Sequence, residues 1–326
     1  MKATISITLF SMFGAALATA SPAADTTPAN ARELGLVRWG RELDAAAGES
    51  NATGKPIAIL FQEVPGCATC VGFGETALSH PLVVEALESE FIPVLVYNNR
   101  SGRDAEILKR FGEPAWNNPV VRFVDASERD VIPRRDGVWS TSALAARMAG
   151  ALRAAGRTVP RYLELVASEG NPPGAETATF AMRCFWSGEA CLGEIDGVIA
   201  SRAGFLEGRE AVELTFDPAR CSYARLLERV KGDGCADLAF AHDDDQEREA
   251  RRVFGDRVRR VATYATDAPD SDQKYYVAHS MFRELALTPV QAARLNAALG
   301  RGGDGAEWLS PRQIAQARAT QTDGPR

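Results

Sequence analysis

One short stretch constrains this chain more than any other. A continuous apolar run, Ile57 to Phe61, leads through Val64-Pro65-Gly66 into Cys67-Ala68-Thr69-Cys70, and a helix-compatible segment follows. Such a run without alternation reads as a strand buried on both faces. Ser79-His80-Pro81 restarts a helix through Leu87, and Phe91 to Tyr97 is a second apolar strand. Strand, helix, strand in this order predicts a parallel crossover and an α/β unit. A helix to Phe111, a strand from Val120 to Val124, a short strand at Val131-Ile132 and a helix from Ala143 to Ala155, capped by Ser140 or Thr141, complete the unit. Ahead of it, Trp39, Leu43 and Ala47 recur at helical spacing, with order expected from Leu34.

The position of the two cysteines carries chemistry. A helix N-terminus holds partial positive charge, which stabilises a thiolate at Cys67 and makes it the attacking group. Cys70, one turn later, is placed to resolve a mixed disulfide. Two other readings stay open, a structural disulfide and half of a zinc site. The zinc reading lacks a second cysteine pair and leaves His80 as a lone candidate, so no metal is expected.

A break at Asn171-Pro172-Pro173-Gly174 separates a second half. There, Ala178 to Met182 reads as a strand running into Cys184-Phe185-Trp186, followed by a helix from Gly188 to Ile195. Glu210 to Phe216 and Val258 to Tyr264 read as strands, and Tyr223 to Val230 and Asp272 to Phe282 as helices. Thr288-Pro289 and Ser310-Pro311 are helix starts with proline in the first turn, the former helix closing at Gly300. Cys184 is thus a second thiol where a strand turns into a helix.

The chain has 326 residues, a length that suits two domains. Its formal net charge of -6, with no basic stripe, argues against nucleic acid as partner. Met1-Lys2, an uncharged apolar run to Leu17 and Ala18-Thr19-Ala20 together read as a signal peptide cleaved near Ala20. A periplasmic or secreted location follows, where cysteines are either paired or kept reduced by dedicated chemistry. The expected organisation is a signal peptide over 1–20, a flexible lead-in over 21–33, a first domain over 34–165, a linker over 166–176, a second domain over 177–318 and a tail over 319–326.

Two resemblances sharpen this reading. Residues 64–70, Val-Pro-Gly-Cys-Ala-Thr-Cys, resemble thioredoxin-like (seleno)proteins with the motif Val-Pro-Gly-Cys (or selenocysteine)-x-x-Thr/Cys. The resemblance spans roughly 34–160 and implies a thioredoxin-like fold. It also implies that Asn118-Pro119 forms the cis-proline loop facing the cysteine pair. In the second half, the run Thr179 to Glu189 around Cys184 resembles the active-site segment of type A peptide methionine sulfoxide reductases. Further matches follow in order: Ile195–Val198, Gly204-Phe205, Arg209–Val212, Thr215–Pro218, Leu226-Leu227, Phe240–Asp243 and Asp272–Tyr276. This resemblance implies a ferredoxin-like α+β domain over roughly 176–300.

What the second resemblance implies is specific. The Cys184 thiolate attacks a sulfoxide sulfur, Glu210 supplies the proton that the oxygen needs to leave, and Phe185 and Trp186 wall a pocket for the methyl group. A second thiol must then resolve the sulfenic acid on Cys184. Cys191, about two turns further along the same helix, Cys221 and Cys235 are the candidates, with Cys235 favoured because its Gly-Asp-Gly-Cys loop can move. A structural pair among these three is equally open.

The chain also departs from the family. Arg183 stands where the family has glycine. A loop carrying a tyrosine is cut away between Phe205 and Arg209, and a Gly-Thr-Gln-Tyr-type segment shrinks to Gly232–Ala236. Tyr264, Tyr275 and Tyr276 are the available substitutes, with core packing the more ordinary role for each.

The expected function is an exported reductase of peptide-bound methionine S-sulfoxide, with Cys67/Cys70 as a tethered internal reductant. It would use thiol–disulfide chemistry and no cofactor. Its partners would be oxidised envelope proteins or peptides and an unidentified membrane or periplasmic thiol reductant. The alternatives are a general thiol–disulfide oxidoreductase whose second half only binds substrates, and a module without catalysis.

Overall fold

A computed structural model describes residues 31–116, 119–169 and 174–322. The signal-peptide reading over 1–20, most of the lead-in and Asn118 fall outside the described residues. No helix among those described is long and apolar enough to cross a membrane.

The first half begins with a 3-10 turn at Arg32–Leu34 and continues through α1 (Leu43–Thr53), β1 (Ile57–Gln62), α2 (Ala68–Glu75), α3 (Pro81–Glu90), β2 (Ile92–Tyr97), α4 (Arg103–Phe111), β3 (Val120–Val124), α5 (Thr141–Ala154) and α6 (Arg161–Ser168). Its three-stranded sheet has the order β2-β1-β3. β1 runs parallel to β2, as the crossover requires, and antiparallel to β3.

Every residue of β1 is buried, and its alternation feeds two cores. Ala58 and Leu60 pack with residues of α3, α5 and α6, while Ile57, Ile59 and Phe61 pack with residues of α1 and α4. Each large side chain buried there contributes roughly 1.5–3 kcal/mol, so a charge at Ile59 would break the unit.

The second half adds β4 (Glu176–Ala181), α7 (Phe185–Leu192), β5 (Val198–Leu206), β6 (Arg209–Phe216), α8 (Tyr223–Gly232), β7 (Leu238–Ala241), α9 (Asp244–Phe254), β8 (Val258–Arg260), β9 (Thr266–Asp267), α10 (Tyr275–Ala278), α11 (Pro289–Gly300) and α12 (Pro311–Thr322). Its six-stranded sheet has the order β8-β7-β4-β6-β5-β9. β4 is central, antiparallel to both β6 and β7. One face of this sheet carries a core that includes Phe180, Phe216, Leu226 and Leu227, and a smaller cluster with Phe240 and Leu206 fills the other. The two halves touch. The Arg312 amide of α12 donates to Glu85 of α3, and the Arg312 guanidinium pairs with Glu88.

Several sequence expectations are corrected. Val131-Ile132 forms no strand, because the chain after β3 makes only an isolated bridge between Val124 and Asp130. Trp39 lies ahead of α1, where its indole N–H donates to the Leu34 carbonyl at 2.9 Å, so its helical spacing is coincidental. The strand expected over Val258 to Tyr264 is β8, which stops at Arg260. Asp272 to Phe282 is a 3-10 turn plus the four-residue α10. α6 reaches Ser168 with Val166 in the core, so the first unit continues past 165. α12 runs to Thr322, past the expected start of the tail at 319.

Candidate functional site

The strand β1 delivers the first cysteine pair. Cys67 is the N-cap of α2 and is exposed, while Cys70, one turn in, is fully buried. Their sulfurs lie 3.1 Å apart. Gly66 packs directly on Cys70: a Cβ there would come within 2.6 Å of the Cys70 Cβ, so no larger residue fits. The Gly66 amide donates to the buried Glu33 carboxylate at 2.8 Å, and Gln62 Nε2 donates to the Glu33 and Cys70 carbonyls.

The two thiols are driven apart in acidity. The hydrogen bond from Cys70 holds the Cys67 thiol below its ordinary range, helped by the Cys70 and Thr69 backbone N–H groups facing it. Burial pushes Cys70 up to about 12. Of the pair, Cys67 is thus the exposed thiol whose thiolate form is favoured, and Cys70 the buried one that holds its proton.

The cis X-Pro bond described in this region is Val64–Pro65. Pro119, in the loop expected to face the pair, accepts a hydrogen bond from the Trp139 indole at its carbonyl (3.2 Å).

The second site repeats the device. β4 ends at Ala181, and Cys184 is the half-buried N-cap of α7. Glu210, near the start of β6, is brought to it by strand pairing. The Met182 amide donates to the Glu210 carbonyl at 3.1 Å, and Glu210 Oε2 accepts from the Phe185 amide at 2.8 Å. A carboxylate thus sits at the helix N-terminus one residue from the thiol, where the helix dipole favours negative charge.

Aromatic rings line the neighbouring wall. Phe185 is buried and meets Phe205 edge-on at 5.5 Å. Trp186 stacks on Tyr275 at 4.1 Å, and its indole N–H donates to Asp272 at 3.1 Å. Among the three candidate substitute tyrosines, only Tyr275 makes ring contact with Trp186. Tyr264 stacks on His242 instead, and the Tyr276 ring lies against Gly300.

Two residues missed by the sequence reading hold this wall in place. Glu189, fully buried on α7, accepts from Lys274 Nζ at 2.6 Å, from the Lys274 amide at 2.8 Å and from Ser201 Oγ at 2.9 Å. Gln273 exchanges hydrogen bonds with both backbone groups of Ala203 on β5. Together they pin the segment that presents Asp272 and Tyr275 to Trp186. The signal was available in the run Asp272–Tyr276, whose polar members have no place in a helix face buried on a core.

The remaining cysteines separate. Cys191 and Cys235 form a disulfide closing a 44-residue separation, worth about 4 kcal/mol by loop entropy. Cys184, Cys191 and Cys235 line one cleft of about 310 Å³, floored by Met182. Gly188 makes room for that floor, since a Cβ there would lie 1.8 Å from the Met182 sulfur. Cys221 is a buried thiol outside this cleft, pushed up in pKa by burial, with its sulfur facing the Ser222 carbonyl. It packs in the core of the second half.

Comparison with known proteins fits both halves. A thioredoxin-like family model matches residues 38–126. A peptide methionine sulfoxide reductase MsrA from Geobacter sulfurreducens is 33% identical over 116 residues, covering 25% of this chain and 70% of the relative. The chain belongs to the MsrA family. MsrA of Geobacter metallireducens is 38% identical over 72 residues (17% of this chain, 44% of the relative). MsrA of Methanothermobacter thermautotrophicus is 29% identical over 107 residues (23% and 63%). The chain therefore spans from under half to about two thirds of the length of these curated MsrA proteins. A solved structure titled DsbH Oxidoreductase aligns with 40% of this chain and 93% of its own, at TM-score 0.32 and 16% identity. The MsrA matches support the second half as an MsrA-like, oxidoreductase-type domain beside the thioredoxin-like one.

Proposed function

We propose that this chain reduces peptide-bound methionine S-sulfoxide. The observation that carries the reading is the Glu210 carboxyl on the Phe185 amide beside Cys184, next to the Phe185–Trp186–Tyr275 aromatic wall. The Cys184 thiolate attacks the sulfoxide sulfur while Glu210 delivers a proton to the oxygen. Methionine leaves, and Cys184 becomes a sulfenic acid. A thiol of Cys191 or Cys235 displaces water from that sulfenic acid to form a disulfide. Its neighbour then exchanges onto it, freeing Cys184 and leaving Cys191–Cys235 oxidised. The Cys67 thiolate attacks this disulfide, and Cys70 resolves the mixed disulfide.

The tether favours this internal route through effective concentration. The N-terminal segment supports export, so the substrates would be oxidised envelope proteins or peptides. A membrane or periplasmic thiol reductant would recharge Cys67/Cys70, with no cofactor involved. The test is turnover of a methionine S-sulfoxide peptide with dithiothreitol. The parent protein turns over, and Glu210→Gln loses roughly a hundredfold or more in kcat. No turnover by the parent sinks the reading.

A second reading is a general thiol–disulfide oxidoreductase with a substrate-binding second half. Arg183 beside Cys184, where relatives of this type carry glycine, favours it. Insulin reduction that is lost in Cys67→Ser, without sulfoxide turnover, would select it.

A further inference from the structure

We propose that a second cleft in the C-terminal half, at the corner of β4, α8 and α9, binds a primary ammonium group on an extended aliphatic chain. The cleft measures about 540 Å³. Glu176 opens one wall from the first residue of β4, Ser222 and Tyr223 come from the start of α8, and Asp243, Asp245 and Glu249 come from α9 and its cap. No Lys or Arg lines it.

The carboxylates are not all accounted for by the fold. Asp245 pairs with Arg248, and Asp243 accepts from the Gln246 amide as the N-cap of α9. Both also complement the helix dipole. Glu176 and Glu249 do neither, since one begins a strand and the other sits beyond the first turn of α9. No ion pair to Glu176, Asp243 or Glu249 occurs among the described residues. Their crowding registers on Glu176, whose carboxyl is pushed up by burial and then by the charges of Asp243 and Glu249.

An independent observation points the same way. Tyr223 is only 7% exposed, and its hydroxyl is buried with no hydrogen-bond partner. The same three carboxylates, Asp243, Glu249 and Glu176, act on that phenol after burial itself. A ligand entering here meets three negative charges and an unused phenol oxygen.

The chemistry narrows the occupant. No cluster of His, Cys, Asp or Glu among the described residues is arranged to hold a metal ion. The carboxylates are divided instead between the start of β4 and the α9 end. An ammonium group has three donors and no acceptor, which suits carboxylates and a phenol oxygen. Pro218 and Ala224, also in the lining, offer apolar contact to the chain that carries it. Free polyamines and lysine side chains share this chemistry.

The experiment is calorimetric titration of the full chain at low ionic strength. The probes are spermidine, acetyl-Gly-Lys-Gly-amide and the norleucine analogue of that peptide. One or both amines bind, the norleucine peptide does not, the double variant Glu176→Gln/Glu249→Gln weakens binding about tenfold or more, and Tyr223→Phe weakens it a few-fold. Tighter binding of the peptide assigns the site to a protein-borne lysine, and tighter binding of spermidine to a free polyamine. The proposal is overturned if neither amine binds at concentrations on the order of 10 mM. Binding undiminished in the double variant, or equal displacement by magnesium, overturns it too.

Discussion

Cys67 and Cys184 stand at the same place in two different folds. Each follows a buried strand, each is the N-cap of an eight-residue helix, and neither thiol makes a capping hydrogen bond. What surrounds them differs. Cys67 is exposed and has a second thiol 3.1 Å away, so its chemistry closes within one helical turn. Cys184 is half-buried between a carboxylate, an aromatic wall and a cleft shared with a disulfide. Both thiols stand at a helix N-terminus. In the proposed reaction the neighbours decide which one exchanges electrons and which one meets a substrate.

The largest expected effect separates the two centres. Cys184→Ser should lose sulfoxide turnover with dithiothreitol by about a thousandfold or more, since the nucleophile itself is removed. Cys67→Ser should retain the dithiothreitol-driven rate and lose turnover only when electrons must enter through the thioredoxin-like half. Equal loss in both variants with dithiothreitol would show that the division of labour is wrong.

The second prediction tests what fixes the aromatic wall. Lys274→Met leaves the fully buried Glu189 carboxylate without its cation, which should cost about 3 kcal/mol in urea unfolding. It should also raise KM more than it lowers kcat, because Asp272 and Tyr275 lose their anchor while Cys184 and Glu210 keep theirs. A pure stability loss with an unchanged KM would detach Lys274 from the site.

These residues also mark the limit of what the sequence discloses. β1 and the Cys67 cap were legible because a run buried on both faces needs no partner information to be recognised. Thr288-Pro289 likewise announced a helix start, and Ser140 its cap. Glu210 was legible only through resemblance, since nothing in Arg209–Phe216 says which strand residue will reach a helix end. The Cys191–Cys235 pairing was not legible, because three cysteines leave the partner to the fold. α10 misled because Asp272, Gln273 and Lys274 are spaced like a helix but spend their side chains on Trp186, Ala203 and Glu189. β5 lacked a clear signal because Ser201, Arg202 and Gly204 interrupt its apolar residues. Gly204 is required there by the Thr266 carbonyl of β9, which a Cβ would meet at 2.3 Å.

A third prediction concerns acidity at Cys67. Its thiolate is favoured chiefly by the Cys70 thiol, so Cys70→Ala should move the pH midpoint of iodoacetamide alkylation upward, toward the ordinary cysteine value of about 8.5. The sign follows from the lowered pKa. Near neutral pH the parent carries more thiolate than the variant and alkylates faster, and the two converge at high pH. An unchanged midpoint would assign the depression to the backbone N–H groups of the helix start, and not to the 3.1 Å contact with Cys70.

The smallest effect bears on what the two cysteines cost the fold. Ser140, Ser222, Asp243 and Thr288 cap their helices with a side-chain oxygen, and the two thiols do not. A serine oxygen is a better acceptor than a thiol for the N–H groups of the first turn, so Cys67→Ser should stabilise the chain by about 0.5–1 kcal/mol. Cys184→Ser should gain less, because Glu210 already accepts from the Phe185 amide. Urea denaturation of the two variants in the same buffer reads the difference. Equal gains would mean that Glu210 does not serve as a surrogate cap, and that its carboxyl is held at Cys184 by something other than the helix end. The predicted ordering ties stability to chemistry: the group that satisfies the helix at the second site is the one the proposed reaction uses as its acid.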